Sequence, residues 1–371
     1  MIRVLVNLVY LRPGAVGGSE IYCRELLTAL AARDDLQLEV ACLASAAESL
    51  QPLGLRLHTV RGGDYSLKTR LLAENRDIAR LASGADVLFS PANFGLLRPI
   101  RTPQVVTIHD LQHRHLPEFF TARKRLERDL MFRWTLRTAQ RVIAISEFTR
   151  QDLLSAYAPP EDRVATVLEG VRLGVRPTAA AVEDARTRYG LVGPFFVFPA
   201  TDNRHKNHAT LVRALARLGP GRGVTLVFTG HRTGLYDAIE SEARALGVGD
   251  HVRHLGLVPH ADVFNLLAGA DALVFPSRFE GFGLPILEAM YCGTPVLAAD
   301  AASIPEVAGG AALLLSPTDE GAWADAMQRV LEEPALCARL REAGALNLQR
   351  FSWDRCADET AALLRAAARP R

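Results

Sequence analysis

No stretch of this 371-residue chain is apolar for the roughly 20 residues that a helix needs to cross a bilayer, so a membrane-spanning helix is not expected. The opening run M-I-R-V-L-V-N-L-V-Y is too short and lacks a small-residue cleavage site, which argues for a first strand over a secretion signal. Cysteine is sparse, odd in number and scattered (Cys23, Cys42, Cys292, Cys337, Cys356), with no C-x-x-C spacing. That pattern excludes a disulfide framework and a thiolate zinc site, and it fits a reducing compartment, the cytoplasm. Net charge is only +2 and no basic–aromatic module occurs, which leaves little for nucleic acid to bind. Two short motifs are also missing. Without G-x-G-x-x-G a dinucleotide-dependent oxidoreductase is a poor match. Without any D-x-D, a diphosphate is better served by cationic side chains and helix dipoles than by a bound metal, and no metal ligands are assigned.

What is present is alternation. Apolar, β-rich runs at 3–9, 38–43, 87–90, 104–108 and 141–145 alternate with helical patterns at 20–32, 67–82, 122–138 and 147–156. A second series of strands at 195–199, 224–229, 252–255, 272–275, 295–299 and 312–314 alternates with helices at 209–217, 235–246, 261–267, 285–291 and 320–332. Such order predicts an α/β protein with two parallel, doubly wound sheets, each covered by helices. The length suits two domains, 1–172 and 173–352, and residues 353–371 form a last helix. The polar, alanine-rich interval 172–189 is the linker candidate. Doubly wound sheets bind ligands at the carboxyl ends of their strands, and two of them can face a common cleft.

Four segments fall at such ends. G-A-V-G-G-S-E at 14–20 follows the first strand; Gly17 and Gly18 allow close backbone approach and Ser19 is a candidate helix cap. His109 and Asp110 follow a buried strand, where the imidazole either meets a substrate or is satisfied internally. In N-R-H-K-N-H at 203–208, Arg204 and Lys206 can pair with phosphates and stabilise a departing diphosphate. His205 and His208 share that short loop without partner carboxylates, which is a poor metal set. The fourth, S-R-F-E-G-F-G-L-P-I-L-E at 277–288, is the most informative. A strand, a turn with Gly281 and Gly283, and a helix opening at Pro285 and stopping at Gly293 make a ready phosphate site. Glu280 and Glu288 flank it, and carboxylates there suit sugar hydroxyls better than phosphates. The segment reads as a nucleotide-sugar site.

Charge is uneven, +4 to residue 172 and −2 beyond it. The helix expected at 122–138 concentrates it, with Arg123, Lys124, Arg125, Arg128, Arg133 and Arg137 beside a stripe of Leu126, Leu130, Trp134 and Phe132. Either that stripe packs on the domain core, or the helix lies on an anionic membrane surface.

Taken together, these segments resemble the retaining glycosyltransferases of glycosyltransferase family 4. The resemblance spans nearly the whole chain: G-G-S-E, the H-D pair, A-I-S-E-F-T-R-Q-D-L at 144–153, P-A-x4-H-K-N-H at 199–208, H-L-G-L-V-P at 254–259, the E-x7-E element, G-T-P-V-L-A at 293–298 and F-S-W at 351–353. It implies the GT-B fold, two Rossmann-like domains facing a cleft, with the last helix crossing back to the first domain. It also implies roles. Glu280 would contact the transferred sugar and Glu288 the ribose, while His109 would contact the donor sugar. Backbone groups of Gly281, Phe282, Gly283, Leu284, Gly17 and Gly18 would hold phosphates neutralised by Lys206 and Arg204. Leu255 to Val258 would read the base through the backbone, and Ser146 would support the cleft. Glu169-Gly170-Val171 stands where many relatives carry Asn-Gly-Val, and Arg172 replaces a usual acid. The expected activity is transfer of mannose or a deoxy-hexose from a nucleotide-diphosphate sugar, GDP-linked before UDP- or dTDP-linked. No separate cofactor is implied. The expected acceptor is a glycan or lipid-linked glycan of cell-surface polysaccharide synthesis, at the inner face of the cytoplasmic membrane. A non-hydrolysing nucleotide-sugar epimerase and a catalytically silent nucleotide-sugar-binding subunit are the alternatives.

Overall fold

The computed structural model describes residues 1–14, 17–61, 72–171 and 176–368. Two compact units emerge. Unit 1 comprises Met1–Gly170 and Phe351–Arg371, and unit 2 comprises Val171–Arg350.

Unit 1 is built on a seven-stranded sheet with strand order β3-β2-β1-β4-β5-β6-β7. Its strands are β1 Ile2–Asn7, β2 Leu36–Leu43, β3 Arg56–Val60, β4 Val87–Ser90, β5 Gln104–Ile108, β6 Arg141–Ala144 and β7 Val164–Thr166. Every pairing is parallel. The central strands β4 and β5 are buried along their whole length, as sheets covered on both faces require. Two strands were not anticipated, β3 and β7. Both are edge strands, and β3 exposes Arg56 and Thr59 and buries only Val60, while β7 has only three residues, so neither presents the continuous apolar run that marks an inner strand. The first helix, Gly18–Ala31, buries Tyr22, Cys23, Leu26, Leu27 and Leu30. Its cap is Gly17, not Ser19, which sits inside the first turn.

The final helix, Trp353–Ala367, packs against the Gly18–Ala31 helix within unit 1. Ser352 caps it by accepting from the Arg355 amide at 3.4 Å, and its Cys356, Ala357, Thr360, Ala361 and Leu364 are buried. Gly170 makes this packing possible: a Cβ there would lie 2.4 Å from the Trp353 amide nitrogen.

Unit 2 has a six-stranded parallel sheet, order β10-β9-β8-β11-β12-β13. The strands are β8 Phe195–Pro199, β9 Thr225–Thr229, β10 Val252–His254, β11 Ala272–Phe275, β12 Val296–Ala299 and β13 Leu313–Leu315. Residues 179–188, read above as linker, form a helix, Ala179–Arg188, that lies against the helix His260–Gly269. Alanine favours helix strongly but leaves no large apolar stripe to see, and only Ala185 is buried. Arg172 and the start of the helix expected at 67–82 lie outside the described residues.

The stripe expected on the helix Ala122–Thr138 is also corrected. Phe132, Thr135 and Leu136 face the core, Trp134 is half-buried, and Leu126 and Leu130 are 61% and 58% exposed. The five cysteines are free thiols. No helix among the described residues is long and apolar enough to cross a membrane.

Candidate active site

In both sheets the strand order reverses once, between β1 and β4 in unit 1 and between β8 and β11 in unit 2. Chains leaving such a pair diverge to opposite faces and open a crevice at the carboxyl ends, the usual ligand position in open α/β sheets. In unit 2 the loop after β8 carries Arg204 and Lys206, and the loop after β11 carries Glu280.

There the structure joins two of the sequence candidates directly. Lys206 Nζ donates to Glu280 Oε1 at 2.8 Å, and both side chains are largely buried, 19% and 14% exposed. Lys206 Nζ also lies 5.8 Å from the centre of the Phe275 ring. The loops are fixed around this pair. Asn207, in the left-handed region at φ 61°, donates through Nδ2 to the carbonyls of Pro276 and Pro317 at 3.1 and 2.6 Å. The Arg278 amide donates to the His205 carbonyl at 2.8 Å. Ser303 Oγ lies 2.9 Å from the Glu280 carbonyl and 3.1 Å from that of Phe282, able to donate to either. Neither Asn207 nor Ser303 was singled out from sequence; a buried serine 15 residues past Glu288 carries no local signal of what it touches.

The glycine turn ends in the helix Leu284–Cys292, with Gly283 as cap at φ 116° and Gly293 closing it at φ 73°. Of the two turn glycines only Gly283 uses left-handed backbone, so Gly281 is not required there for conformation. The opening turn of a helix is positively polarised, and here it lies just beyond Glu280; Pro285 carries no N–H and the Ile286 amide donates to the Gly283 carbonyl at 3.0 Å, which leaves the Leu284 amide to face a ligand. Glu288 projects from the second turn. No hydrogen-bond partner is present for it among the described residues, and burial pushes its carboxyl up to about 7. One turn on, burial and the charge of Glu288 push the Cys292 thiol up to about 12, so it stays protonated.

The remaining candidates of unit 2 differ in kind. Arg204 is exposed and makes no ion pair among the described residues. His208 is buried against Phe198 and Phe228 and lies 3.3 Å from the Ala200 carbonyl; burial lowers it to about 4 and keeps it neutral. Its role is packing. Leu255 to Val258 continue from β10, where the Leu255 amide donates to the Phe228 carbonyl at 2.9 Å and Gly256 accepts from the Gly230 amide at 2.8 Å. Among the described residues no cluster of histidine, cysteine, aspartate or glutamate is arranged to hold a metal ion.

In unit 1, His109 stands at the end of β5 and is 8% exposed. Its amide donates to Asn93 Oδ1 at 2.8 Å and its carbonyl accepts from Thr149 Oγ1 at 3.2 Å. Ser146 caps the helix Glu147–Tyr157 and donates to Thr149 Oγ1 at 2.9 Å, so it acts on His109 through Thr149. Gly17 and Gly18 open the first helix after β1, with open space where a Cβ would stand.

Two parallel-sheet units, each with one switch point, and a terminal helix that returns to the first unit define a GT-B-type fold. The comparisons agree. HepE from Anabaena, solved with UDP and glucose, superposes with a TM-score of 0.81 over 99% of this chain and all of its own, at 21% identity. WaaG, a glycosyltransferase involved in lipopolysaccharide biosynthesis, superposes at 0.76 over 97% of this chain and 99% of its own, at 17% identity. The model of glycosyl transferases group 1 matches residues 187–346, and that of glycosyltransferase family 4 matches residues 16–174. A D-inositol 3-phosphate glycosyltransferase of Actinosynnema mirum is 31% identical over 96% of this chain and 95% of its own. The O-antigen chain mannosyltransferase B of Escherichia coli is 29% identical over 78% of this chain and 77% of its own. The chain belongs to the group 1 glycosyltransferases of glycosyltransferase family 4, a retaining family, and transfers a sugar from a nucleotide sugar.

Proposed function

We propose that this enzyme moves mannose or a deoxy-hexose from a GDP-linked donor to a glycan or lipid-linked glycan of the cell surface. The likeness to an O-antigen mannosyltransferase supports the sugar and the pathway. The Lys206–Glu280 pair beside a helix N-terminus supports the chemistry, because it presents a cation for phosphate and a carboxylate for sugar hydroxyls within 2.8 Å of each other. In this reading the diphosphate docks on backbone groups of Gly281 to Leu284 at the N-terminus of the Leu284–Cys292 helix and takes up the charge of Lys206, with exposed Arg204 adding to it. Glu280, released from full pairing, accepts from the sugar. Glu288 accepts from the ribose, and the backbone of Leu255 to Val258 reads the base. In unit 1, His109 contacts the donor sugar, and Gly17 and Gly18 approach its phosphates. The acceptor hydroxyl attacks the anomeric carbon on the face the diphosphate leaves, its proton passes to the departing diphosphate oxygen, and Lys206 stabilises the negative charge that grows on the leaving group.

The acceptor side is proposed to meet a membrane through the helix Ala122–Thr138. Arg123, Leu126, Leu130, Arg133 and Arg137 follow helical spacing and all are exposed, giving two leucines framed by cations. This arrangement suits an anionic lipid surface, which attracts each cation by about 1 kcal/mol and accepts the leucines.

Thermal shift of the purified protein with GDP, UDP, dTDP and their sugar conjugates, with and without EDTA, tests the donor. A stabilisation by GDP species that EDTA leaves intact and Lys206→Ala abolishes is expected. Stabilisation by UDP or dTDP species alone would replace the GDP assignment, and conversion of the donor to an epimer without an acceptor would replace the transferase step.

A further inference from the structure

The Glu169 carboxylate is 3% exposed, and the chemistry proposed above leaves it without a role. It follows β7, at the same carboxyl edge of the unit 1 sheet that carries His109 after β5. Its Oε1 lies 3.7 Å from His109 Nδ1. On the other side of the ring, His109 Nε2 is 2.9 Å from the Pro91 carbonyl. A carbonyl only accepts, so Nε2 carries a hydrogen. Nδ1 then faces a carboxyl oxygen with two possible states: a second N–H pointing at a carboxylate, or a lone pair facing a protonated carboxyl. In both, one proton lies between the two groups. Loss of that proton would leave a buried carboxylate beside a neutral ring, and a buried charge without its counter-charge is strongly disfavoured.

Among the described residues the surroundings offer no substitute. Tyr22 on the first helix meets the His109 ring edge-on at 5.0 Å, with its hydroxyl 3.0 Å from Thr107 Oγ1. Cys23 on that helix is pushed up to about 12 by burial, and burial pushes Cys356 on the terminal helix higher still, so both thiols are neutral. Asp110 is the other acid acting on His109, and it too favours a protonated ring. Among the described residues the cation acting on Glu169 is His109 itself. Burial alone would lower His109, yet Glu169 raises it; burial raises Glu169, and His109 opposes that.

We infer that Glu169 is a positioning residue for His109: it keeps a proton on Nδ1, so the imidazole is held in one orientation with an N–H at both nitrogens. This deepens the proposed function and rests on it for the contact with sugar. With Nε2 committed to Pro91, the loosely engaged Nδ1 is the edge that a sugar hydroxyl can reach, accepting from Nδ1–H and donating to Glu169. A neutral histidine with the same Nε2–H could only accept at Nδ1. Glu169 therefore makes His109 a donor.

The test follows His109 in the full-length protein labelled with 13C-histidine, its resonance assigned by His109→Gln, through a pH titration of wild type, Glu169→Gln and Glu169→Asp. The wild-type ring is expected to remain in its doubly protonated form beyond the pH at which a free imidazole titrates. Glu169→Gln should lower the midpoint by about 1–3 pH units, with Glu169→Asp restoring most of it. The alkaline limb of the kcat/KM profile for donor turnover should move by the same interval. A wild-type midpoint at or below about 6.5 overturns the inference without any variant, as does an unmoved midpoint in Glu169→Gln. Failure of Glu169→Gln to fold leaves the wild-type titration to decide. Titration as stated without turnover of any nucleotide sugar upholds the pair and removes the transfer reading; turnover with an ordinary midpoint does the reverse.

Discussion

Replacing Glu288 by glutamine should stabilise the free enzyme and weaken its hold on nucleotide, and both effects should follow pH. The carboxyl is held at about 7 in the folded chain against an ordinary 4.5, because burial disfavours its charge and no partner among the described residues compensates. The folded state therefore keeps its proton to higher pH than the unfolded state. Between these two values stability falls as pH rises, and the full penalty stands above pH 7. The interval corresponds to about 3 kcal/mol at most, and since the side chain keeps part of its surface in water, about half of that is expected. Glu288→Gln removes the titration, so at pH 8 the variant should melt roughly 3–6 °C above wild type, at about 2–4 °C per kcal/mol for a domain of this size. Below pH 4.5, where both states keep the proton, the two should melt together.

Ligand binding should show the opposite preference. Ribose hydroxyls donate to an ionised carboxylate, so nucleotide binding pulls the Glu288 carboxyl back down. Wild-type affinity should rise from pH 5.5 to about 7 and level off above, with a slope of at most about tenfold per pH unit. Hydrogen bonds to a charged acceptor contribute about 1.5–3 kcal/mol, so Glu288→Gln should raise the nucleotide Kd by about 10–100-fold at pH 8. Calorimetric melting and isothermal titration at pH 5.5, 7 and 8 measure both quantities. A variant that melts with wild type at pH 8, or binds nucleotide as tightly, refutes the assignment of an uncompensated carboxylate waiting for a polyol.

Three further outcomes are expected. Lys206→Ala should lower kcat by about 10²–10³-fold, and Lys206→Ala combined with Glu280→Ala should lose less than the two single losses added, because each single change strands a partner; strict additivity in a double-mutant cycle would show the 2.8 Å contact to be energetically idle. Vesicles with anionic headgroups should retain the protein in sedimentation at low salt and release it as salt rises. Leu126→Ser with Leu130→Ser should abolish retention without altering donor turnover on a soluble acceptor, and unchanged retention would remove the membrane contact. Ser303→Ala should cost about 1–2 kcal/mol in urea unfolding, since the Glu280 and Phe282 carbonyls lose their shared donor; an unaltered midpoint would mean that the turn holds itself.

The inner strands were legible because their sequences satisfy two covered faces at once. F-F-V-F-P at β8 and A-L-V-F at β11 have no polar position to spare, and their bounds followed directly. The edges were not legible for the same physical reason. R-L-H-T-V pairs on one side only, so exposed Arg56 and Thr59 are permitted and the apolar signal dissolves. The helix Pro334–Asn347 passed unnoticed although Leu336, Leu340 and Gly344 repeat at four-residue spacing, because Gly344 and Asn347 on its buried face contribute little to an apolar count.

The site divides along a different line. Glycines, a proline and two glutamates announce a strand–turn–helix because each answers a backbone or charge requirement within a dozen residues. What the sequence could not reveal is pairing across the sheet. The Lys206–Glu280 contact spans 74 positions, and that of Ser303 with the Glu280 carbonyl spans 23. His109 and Glu169 lie 60 positions apart and meet because β5 and β7 flank β6 in one parallel sheet, which carries both to one edge. From sequence, Glu169 stood only as a departure from the family pattern, with no partner to give it a role. Folded, it places a carboxylate against an imidazole whose other nitrogen is already committed, and the charge of that histidine becomes a property of the pair. A parallel sheet brings all its strand ends to one side whatever their order in the chain, so residues there should be read as a set across strands before any of them is assigned a role alone.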